Sequence, residues 1–578
     1  MRNAEIADAM TELATLYELD GAIRYRVLAY KEAARVIRNS PVSIEELTRQ
    51  GKVTELPGIG DTLATKIKDL LETGEIPAAA KLKKKFPATL VAVTRIPGVG
   101  AKTARKLFDE LGVTNLEELR EAAEQQKIRT VKGLGAKVEE NVLAALENLG
   151  EEGAAGRLLL SEVLPIAERL AADLREHPAA EEVEVAGSAR RKAETCKDID
   201  LIATATDPAA LATALAEHSL VAQAGNPGEA GVKVVTHNGV SVDLRIVAPD
   251  AYGNLLQHFT GSAAHNIDLR ERAVKMGLSV SEHGIADTES GEVERFATEE
   301  EVYARLGLPY IEPEMREGNG EIAAALEGKL PELIEVKDLK GDLHCHTTLS
   351  DGRNSLEEMA EGARARGYSY LAVTDHSATH GFGNHVTPEA LLERVEEIRK
   401  LNEAKYKGKR FRVLAGSEVN ILPDGSPDYE DEVLAELDWV IASVHTSFRM
   451  SGKEMTKRVI TAMEHPLIDC IGHLTGRLIN RREPYDIDVE AIAEAAARTG
   501  TMLEINGNPN RRDLSEHHAR LAAEAGATIV VNTDAHGVDT LTNIEYGIAT
   551  ARRAWLTKDQ VANTRTWNQL QKLRKKRR

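Results

Sequence analysis

Cysteine is nearly absent: Cys196, Cys345 and Cys470 are the only three in 578 residues. Three thiols cannot build a disulfide framework, and a reducing cytoplasm is the expected setting. No apolar run reaches the ~20 residues of a bilayer-spanning helix, and the opening MRNAEIADAM does not read as a signal peptide. Nor is there an excess of positive charge. The formal net charge of −19 excludes a chain that is basic throughout, but not one whose charge is uneven. Residues 1–149 hold 23 Lys and Arg against 22 Asp and Glu, so the acidity lies downstream. At the far end QKLRKKRR (571–578) carries six basic side chains, either a solvated tail or a supplementary phosphate contact. The length is that of several domains.

What the chain does contain begins with a repeat. LPGIGDTLATKI (56–67), IPGVGAKTARKL (96–107) and VKGLGAKVEENV (131–142) each run from an apolar residue through G-x-G into an amphipathic helix. Gly58, Gly60, Gly98, Gly100, Gly133 and Gly135 permit tight turning. The helix N-terminus that follows aims N–H groups at whatever sits above the turn, which suits a phosphate oxygen. One such turn can merely punctuate two packed helices. Three in the first 150 residues read as helix-hairpin-helix units that grip the DNA backbone without reading bases. Lys81–Phe86 (KLKKKF) is a further phosphate contact or a solvated helix end.

The middle of the chain offers carboxylates. VEVAG is a short strand ending at Gly187-Ser188, and DIDLIA follows as a second strand. Alternate strand residues share a face, which places Asp198 and Asp200 together, about 7 Å apart. GVKVVTHNGVSVDLRIV (231–247) reads as a hairpin about Asn238-Gly239 and carries Asp243. If that strand lies beside DIDLIA, three carboxylates converge, a set suited to hard divalent cations and two-metal phosphoryl transfer. Ser188 and Arg191 would hold a triphosphate.

The last third alternates strand-like segments with Ala- and Glu-rich helices, which predicts parallel β and α units closing as a barrel. Candidate ligands fall at the strand ends: His344 and His346 on GDLHCH, then Asp351, His376, Glu418, His445, His473, Asp534 and His536. Functional residues of such barrels sit at that end. Nine His, Asp and Glu side chains on one rim predict a metal centre of mixed N/O ligation, suited to Mn²⁺ or Zn²⁺. Cys345, between the two histidines, faces the other way.

These motifs carry two resemblances. Gly187-Ser188 followed ten residues after Ser188 by Asp198-x-Asp200 resembles the signature of X-family DNA polymerases. HFTGSAAHNIDLRERAVKMGLSVSEHG (258–284) and ARLGLPYIEPEMRE (304–317) resemble that family's nucleotide-binding, thumb and closing segments. The resemblance implies that Asp198, Asp200 and Asp243 ligate two Mg²⁺ or Mn²⁺. It places Gly187, Ser188, Arg191, His258, Phe259, Gly261 and Asn266 at the nucleotide and Arg270 at the template. His258 stands where the family carries Tyr, against the sugar, and Ala263 removes a polar contact to the base. Lys66 matches the family's Schiff-base lysine, but Thr62 replaces a usual lysine four residues earlier, so Lys66 is read as a phosphate contact. The last third is similar to the polymerase-and-histidinol-phosphatase (PHP) domain, a trinuclear phosphoesterase. That similarity assigns His344, His346, Glu418 and Asp534 to one ion. Glu418, His445 and His473 hold a second, and Asp351, His376 and His536 a third.

The expected organisation is multidomain. An all-α helix-hairpin-helix region spans 1–80, with the first hairpin in a DNA-end-binding domain, and 81–150 as fingers. An α+β nucleotidyltransferase palm (151–250) and thumb (251–317) follow. A linker (318–338) leads to an α/β PHP distorted barrel (339–570) and the basic tail (571–578). The expected protein is a cytoplasmic, nucleoid-associated monomer with no membrane contact. It would bind gapped or nicked DNA, add dNTPs, and clean 3′ ends through the PHP domain, with abasic-site cleavage as a further candidate. Three rivals are a PHP phosphatase with an inactive or DNA-tethering N-terminal region, a nucleotidyltransferase for tRNA or small molecules, and a non-catalytic DNA scaffold. Three hairpins with an acid triad count against the first, F-T-G-S…N…R against the second, and two complete ligand sets against the third.

Overall fold

The structure is a computed structural model. It describes residues 1–575 apart from 2, 41, 95, 97, 98, 137, 141, 144–156, 382 and 383. Gly98, the 150/151 boundary and residues 576–578 of the tail lie outside the described residues. Two compact units emerge: Met1–Leu158 with Glu162–Val185 and Lys197–Ala248, and Leu159–Ser161 with Ala186–Cys196 and Pro249–Arg578. No helix among the described residues is long and apolar enough to cross a membrane.

The first unit opens with helices. In Asn3–Leu19, the apolar residues Ile6, Met10, Leu13 and Ala14 recur at helical spacing and are all fully buried. The described residues flanking the three G-x-G repeats share one backbone hydrogen-bond pattern. Ile59 N–H donates to Leu56 O, Val99 to Ile96 and Leu134 to Val131, at 3.1, 2.8 and 2.9 Å. Gly58 (φ +80°) and Gly133 (φ +86°) occupy left-handed backbone. Gly60 and Gly100 cap the helices Asp61–Thr73 and Ala101–Leu111. A Cβ at Gly60, Gly100 or Gly135 would meet nothing within 4 Å, so an open approach lies above each turn.

The palm sheet of this unit contains β1 (Ala180–Val185), β2 (Asp198–Ala205), β3 (Val221–Ala224), β4 (Gly231–Thr236) and β5 (Ser241–Ile246), in the order β1-β2-β5-β4-β3. β4 and β5 are the antiparallel hairpin expected about Asn238-Gly239. β5 then lies parallel to β2, with Asp243 directly opposite Asp200.

In the second unit, helices Tyr252–Thr260 and Ala263–Val274 precede a three-stranded meander. Residues 318–338, expected as a linker, are instead packed: Glu321–Leu326 is helical, and Ile322, Ala325 and Leu333 join the thumb core. Their apolar spacing gave them a face to bury. The PHP region is a seven-stranded, all-parallel sheet in chain order. Its strands are β6 (Gly341–Asp342), β7 (Tyr370–Val373), β8 (Arg412–Asn420), β9 (Trp439–Ser443), β10 (Cys470–Ile471), β11 (Met502–Asn506) and β12 (Ile529–Asn532). A parallel bridge between Cys345 and Ala535 nearly closes it into a barrel. The inward register packs Tyr370, Leu414, Trp439, Ile441 and Met502 in one apolar cluster. Continuing that period of two, Glu418 follows Leu414 and Glu504 follows Met502 toward the open end. The tail is anchored where described: Arg574 makes two 2.8 Å bonds to Asp469.

Trp439 is fully buried in the barrel's interior cluster. Trp439→Ala should therefore cost ~3–5 kcal/mol, read as a lower urea midpoint for the PHP transition with the N-terminal helical transition unmoved.

Candidate active sites

The barrel rim gathers the other eight expected side chains around Glu418. One carboxylate oxygen, Oε1, lies 2.8 Å from His473 Nε2 and 3.2 Å from His445 Nε2. The other, Oε2, lies 2.9 Å from His376 Nδ1, 3.3 Å from His344 Nε2 and 3.6 Å from His346 Nε2. Asp534 Oδ1 stands 3.1 Å from His346 and 3.6 Å from His344. Asp351 Oδ2 is 3.3 Å from His536 and 3.6 Å from His376. Three groups have ligand atoms within 4.8 Å of one another: His346, Asp351, His376 and His536; His344, His346 and Asp534; His376, Glu418 and His445. His346 and His376 each face two groups, one ring nitrogen toward each. The family resemblance implies a single ion for each ring; the geometry instead turns each toward two groups.

Burial alone would raise the Glu418 carboxyl, but His344, His445 and His376 hold it well below the usual range. Burial, aided by His536 and His376, pushes His346 down to about 4, which keeps its ring neutral and able to ligate. Burial would lower His536 too, but Asp351 and Asp534 carry it up to about 9. Neither oxygen of Glu418 accepts a hydrogen bond, although both are buried. Fully buried carboxylate oxygens whose near neighbours are imidazole nitrogens fit divalent cations with mixed N/O ligation. Asp534 (φ +53°) and His473 (φ +25°) sit on left-handed backbone, a strain of the kind stored at functional sites.

The palm carries the second carboxylate set. Asp198 and Asp200 are half-buried on the face opposite buried Ile199 and Leu201, and Asp243 adjoins them on the partner strand. The three do not form a group with ligand atoms within 4.8 Å. Asp243 is drawn to cations on its own sheet, Arg245 at 3.1 Å and Lys233 at 3.3 Å.

Four family models match the chain: a helix-hairpin-helix domain over residues 1–76, a SAM-like helix-hairpin-helix tandem over 90–148, the DNA polymerase beta thumb over 255–317 and the PHP domain over 342–508. A Bacillus subtilis (strain 168) protein named DNA polymerase/3'-5' exonuclease PolX is 39% identical over 568 residues, 98% of each chain. The chain is a family X DNA polymerase. Probable phosphatases from Thermoanaerobacter sp. (strain X514) and Syntrophotalea carbinolica are 33% and 27% identical but align with only 39% and 38% of this chain, and with 89% and 90% of their own. The PHP match and the clustered His and Asp side chains imply divalent metals.

In this family X polymerase the expected nucleotide contacts are largely engaged by the protein itself. Gly187 (φ +62°) opens the short helix Gly187–Arg190. Arg191 donates to Glu317 Oε1 and to the Thr260 carbonyl, each at 2.8 Å. Asn266 donates to the His258 carbonyl at 2.8 Å and accepts from Gln257 at 3.1 Å. A Cβ on Gly261 would fall 2.7 Å from Asn266 Oδ1 and 2.8 Å from the His265 ring, so a larger residue here would displace both side chains. The His258 ring lies 5.4 Å from that of Phe259. Arg270 is exposed, Ser188 and Lys66 are half-buried, and Lys83 is engaged with Glu12 at 2.8 Å.

The sequence reading missed several positioning groups. Glu504 accepts from His344 Nδ1 at 2.7 Å and from the His473 N–H at 2.8 Å, fixing two rim residues at once. Its signal was present: a lone glutamate in the otherwise apolar strand MLEIN. Asp342, pushed up to about 6 by burial, accepts from Thr533 and the His344 N–H. Arg553, on the PHP helix Ile544–Arg553, donates to Glu317 at 2.7 Å, the Arg191 carbonyl at 2.9 Å and Glu516 at 2.8 Å. Arg512 Nη1 reaches the Lys192 carbonyl at 3.0 Å. Only the fold brings these distant positions together.

Burial would raise Glu516, but Arg553 and Arg512 hold it down at about 2. A depressed carboxylate contributes stability that is fully present above its unfolded pKa of about 4.3. That stability is lost as pH falls through about 2. Arg553→Ala should cost roughly 3–5 kcal/mol at neutral pH by stranding two carboxylates. It should also flatten the melting temperature against pH across that window, as scanning calorimetry would record.

Proposed function

We propose that this chain is a DNA polymerase that fills short gaps during repair and a 3′-5′ exonuclease that trims the ends it works on. The observation that carries the reading is Glu418, which turns one oxygen to His445 and His473 and the other to His344, His346 and His376, in a chain whose palm sets Asp200 against Asp243. The named activities of the Bacillus subtilis relative, polymerase and 3'-5' exonuclease, pair with these two carboxylate centres. A phosphatase reading would leave the palm and three hairpins without a task.

In this proposal Asp198, Asp200 and Asp243 hold two Mg²⁺ or Mn²⁺. Glu418, with the rim histidines, Asp351 and Asp534, holds up to three Mn²⁺ or Zn²⁺. Divalent cations bound there supply Lewis acidity toward phosphoryl oxygens. The protein's part is to concentrate carboxylate charge on one strand face in the palm and to keep the His346 and His445 rings neutral at the rim by burying them. Glu504 orients His344, Asp342 fixes the H-x-H backbone, and the strand ends hold the ligands in register. The hairpin turns at Gly58, Gly60, Gly98, Gly100, Gly133 and Gly135, with Lys66, grip the phosphates of gapped or nicked DNA. Gly187, Ser188, Arg191, His258, Phe259, Gly261 and Asn266 receive the dNTP, and Arg270 meets the template. Arg191 exchanges Glu317 for the triphosphate when the nucleotide arrives.

The test is a pair of variants on one gapped substrate. Asp198→Ala with Asp200→Ala should abolish primer extension and spare 3′-end hydrolysis, whereas Glu418→Ala should do the reverse. Extension surviving in the palm variant removes that assignment, and loss of both activities in either variant contradicts two separate centres. Glu504→Ala, which frees His344 to rotate, should weaken cation affinity at the rim 10- to 100-fold, measured by metal titration with mass-spectrometric readout.

A further inference from the structure

The two ends of the PHP barrel differ in charge. The strand C-terminal ends carry the His and carboxylate rim. At the N-terminal ends lies a cavity of about 820 Å³ whose lining includes Lys340, Arg364, Lys409, Arg410 and Arg412 and no acidic side chain. Lys340 precedes β6 and Arg412 opens β8, so the cavity lies across the barrel from the rim.

Two of these cations have local explanations. Arg364 closes the helix Leu356–Ala365, where its charge complements the helix C-terminus, and it pairs with Glu361 at 2.8 Å. Lys409 stands 5.8 Å above the Tyr406 ring. Lys340, Arg410 and Arg412 have neither: no ion pair or side-chain hydrogen bond engages them among the described residues. This occurs in a chain where acids outnumber bases 92 to 73, so carboxylates are not scarce. Unpaired like charges around one concavity repel each other, a cost that an anion in the cavity would reverse. The aromatic walls, Tyr368, Phe411 and Trp567, are buried to within 7% of full burial. They offer no open face for stacking a base, so the recognisable chemistry is the phosphoryl group alone.

We propose that this cavity is a phosphoryl-binding site, distinct from the hairpins, the palm and the rim. Its ligand is the phosphate of a DNA strand or of a nucleotide. The site does not depend on which reaction the rim performs.

The test uses full-length protein treated with chelator, so that neither metal centre contributes. The variant is Arg410→Glu with Arg412→Glu, both exposed, and Arg410→Gln with Arg412→Gln is a milder companion. A control reverses exposed, ion-paired cations elsewhere, Lys329→Glu with Arg498→Glu. Binding of a labelled single-stranded oligonucleotide is followed by anisotropy across salt concentrations, and binding of tripolyphosphate by calorimetry. With a DNA strand as ligand, the pocket variant loses about 10-fold in oligonucleotide affinity at low salt. Its log K against log salt slope flattens by about 0.7 for each lost phosphate contact, and the Gln pair shows a smaller loss. With a nucleotide as ligand, the tripolyphosphate stoichiometry falls by one site while oligonucleotide binding holds. Unchanged binding of both probes in a folded pocket variant, or an equal loss in the control, overturns the site.

Discussion

The PHP region depends on a charge it would be costly to bury alone. Glu418 is fully buried, and an isolated carboxylate in that setting would be expelled or protonated. Five imidazoles within 3.6 Å make it tolerable. The rest of the barrel follows from keeping those rings in place. Short parallel strands end together, so that residues distant in sequence meet at one rim. Asp342 and Glu504 then lock the backbone and ring of His344 from below.

A second constraint ties the PHP region to the thumb within the same compact unit. Glu317 accepts from both Arg191 and Arg553, and it is the point where a polymerase element and a PHP helix share one carboxylate. Arg477 bonds Glu194, and Arg512 bonds the Lys192 carbonyl, so the segment after the Gly-Ser turn is held by PHP arginines along its length. Ion pairs this buried give little net stability over apolar packing. They do fix where the turn stands relative to the barrel.

Much of this is legible in the sequence. The G-x-G spacing named three hairpins because each repeat carries its own turn chemistry. His344-x-His346, and each His or Asp closing an apolar strand, named the rim because strand ends are where a parallel barrel exposes side chains. Asp243 was expected beside Asp198 and Asp200 only if the hairpin strand paired with DIDLIA, and that parallel pairing sets Asp243 opposite Asp200. What stayed hidden was long-range. Arg553 and Glu317 are 236 residues apart, and no local pattern announces their pairing. Glu504 was visible as a lone acid in an apolar strand, but its role needed His344 beside it. Arg191 read as a triphosphate ligand, while its engagement with Glu317 needed the fold. Residues 318–338 read as a connector, yet Ile322, Ala325 and Leu333 pack into the thumb core.

The central proposal is that Glu418 and the rim histidines would hold divalent cations. Anomalous scattering from crystals soaked in Zn²⁺ tests it most directly. The account predicts anomalous peaks at the rim within coordination distance, about 2.0–2.2 Å, of Glu418 and its neighbouring histidines. A rim without anomalous density in crystals whose dissolved protein still trims 3′ ends would contradict it.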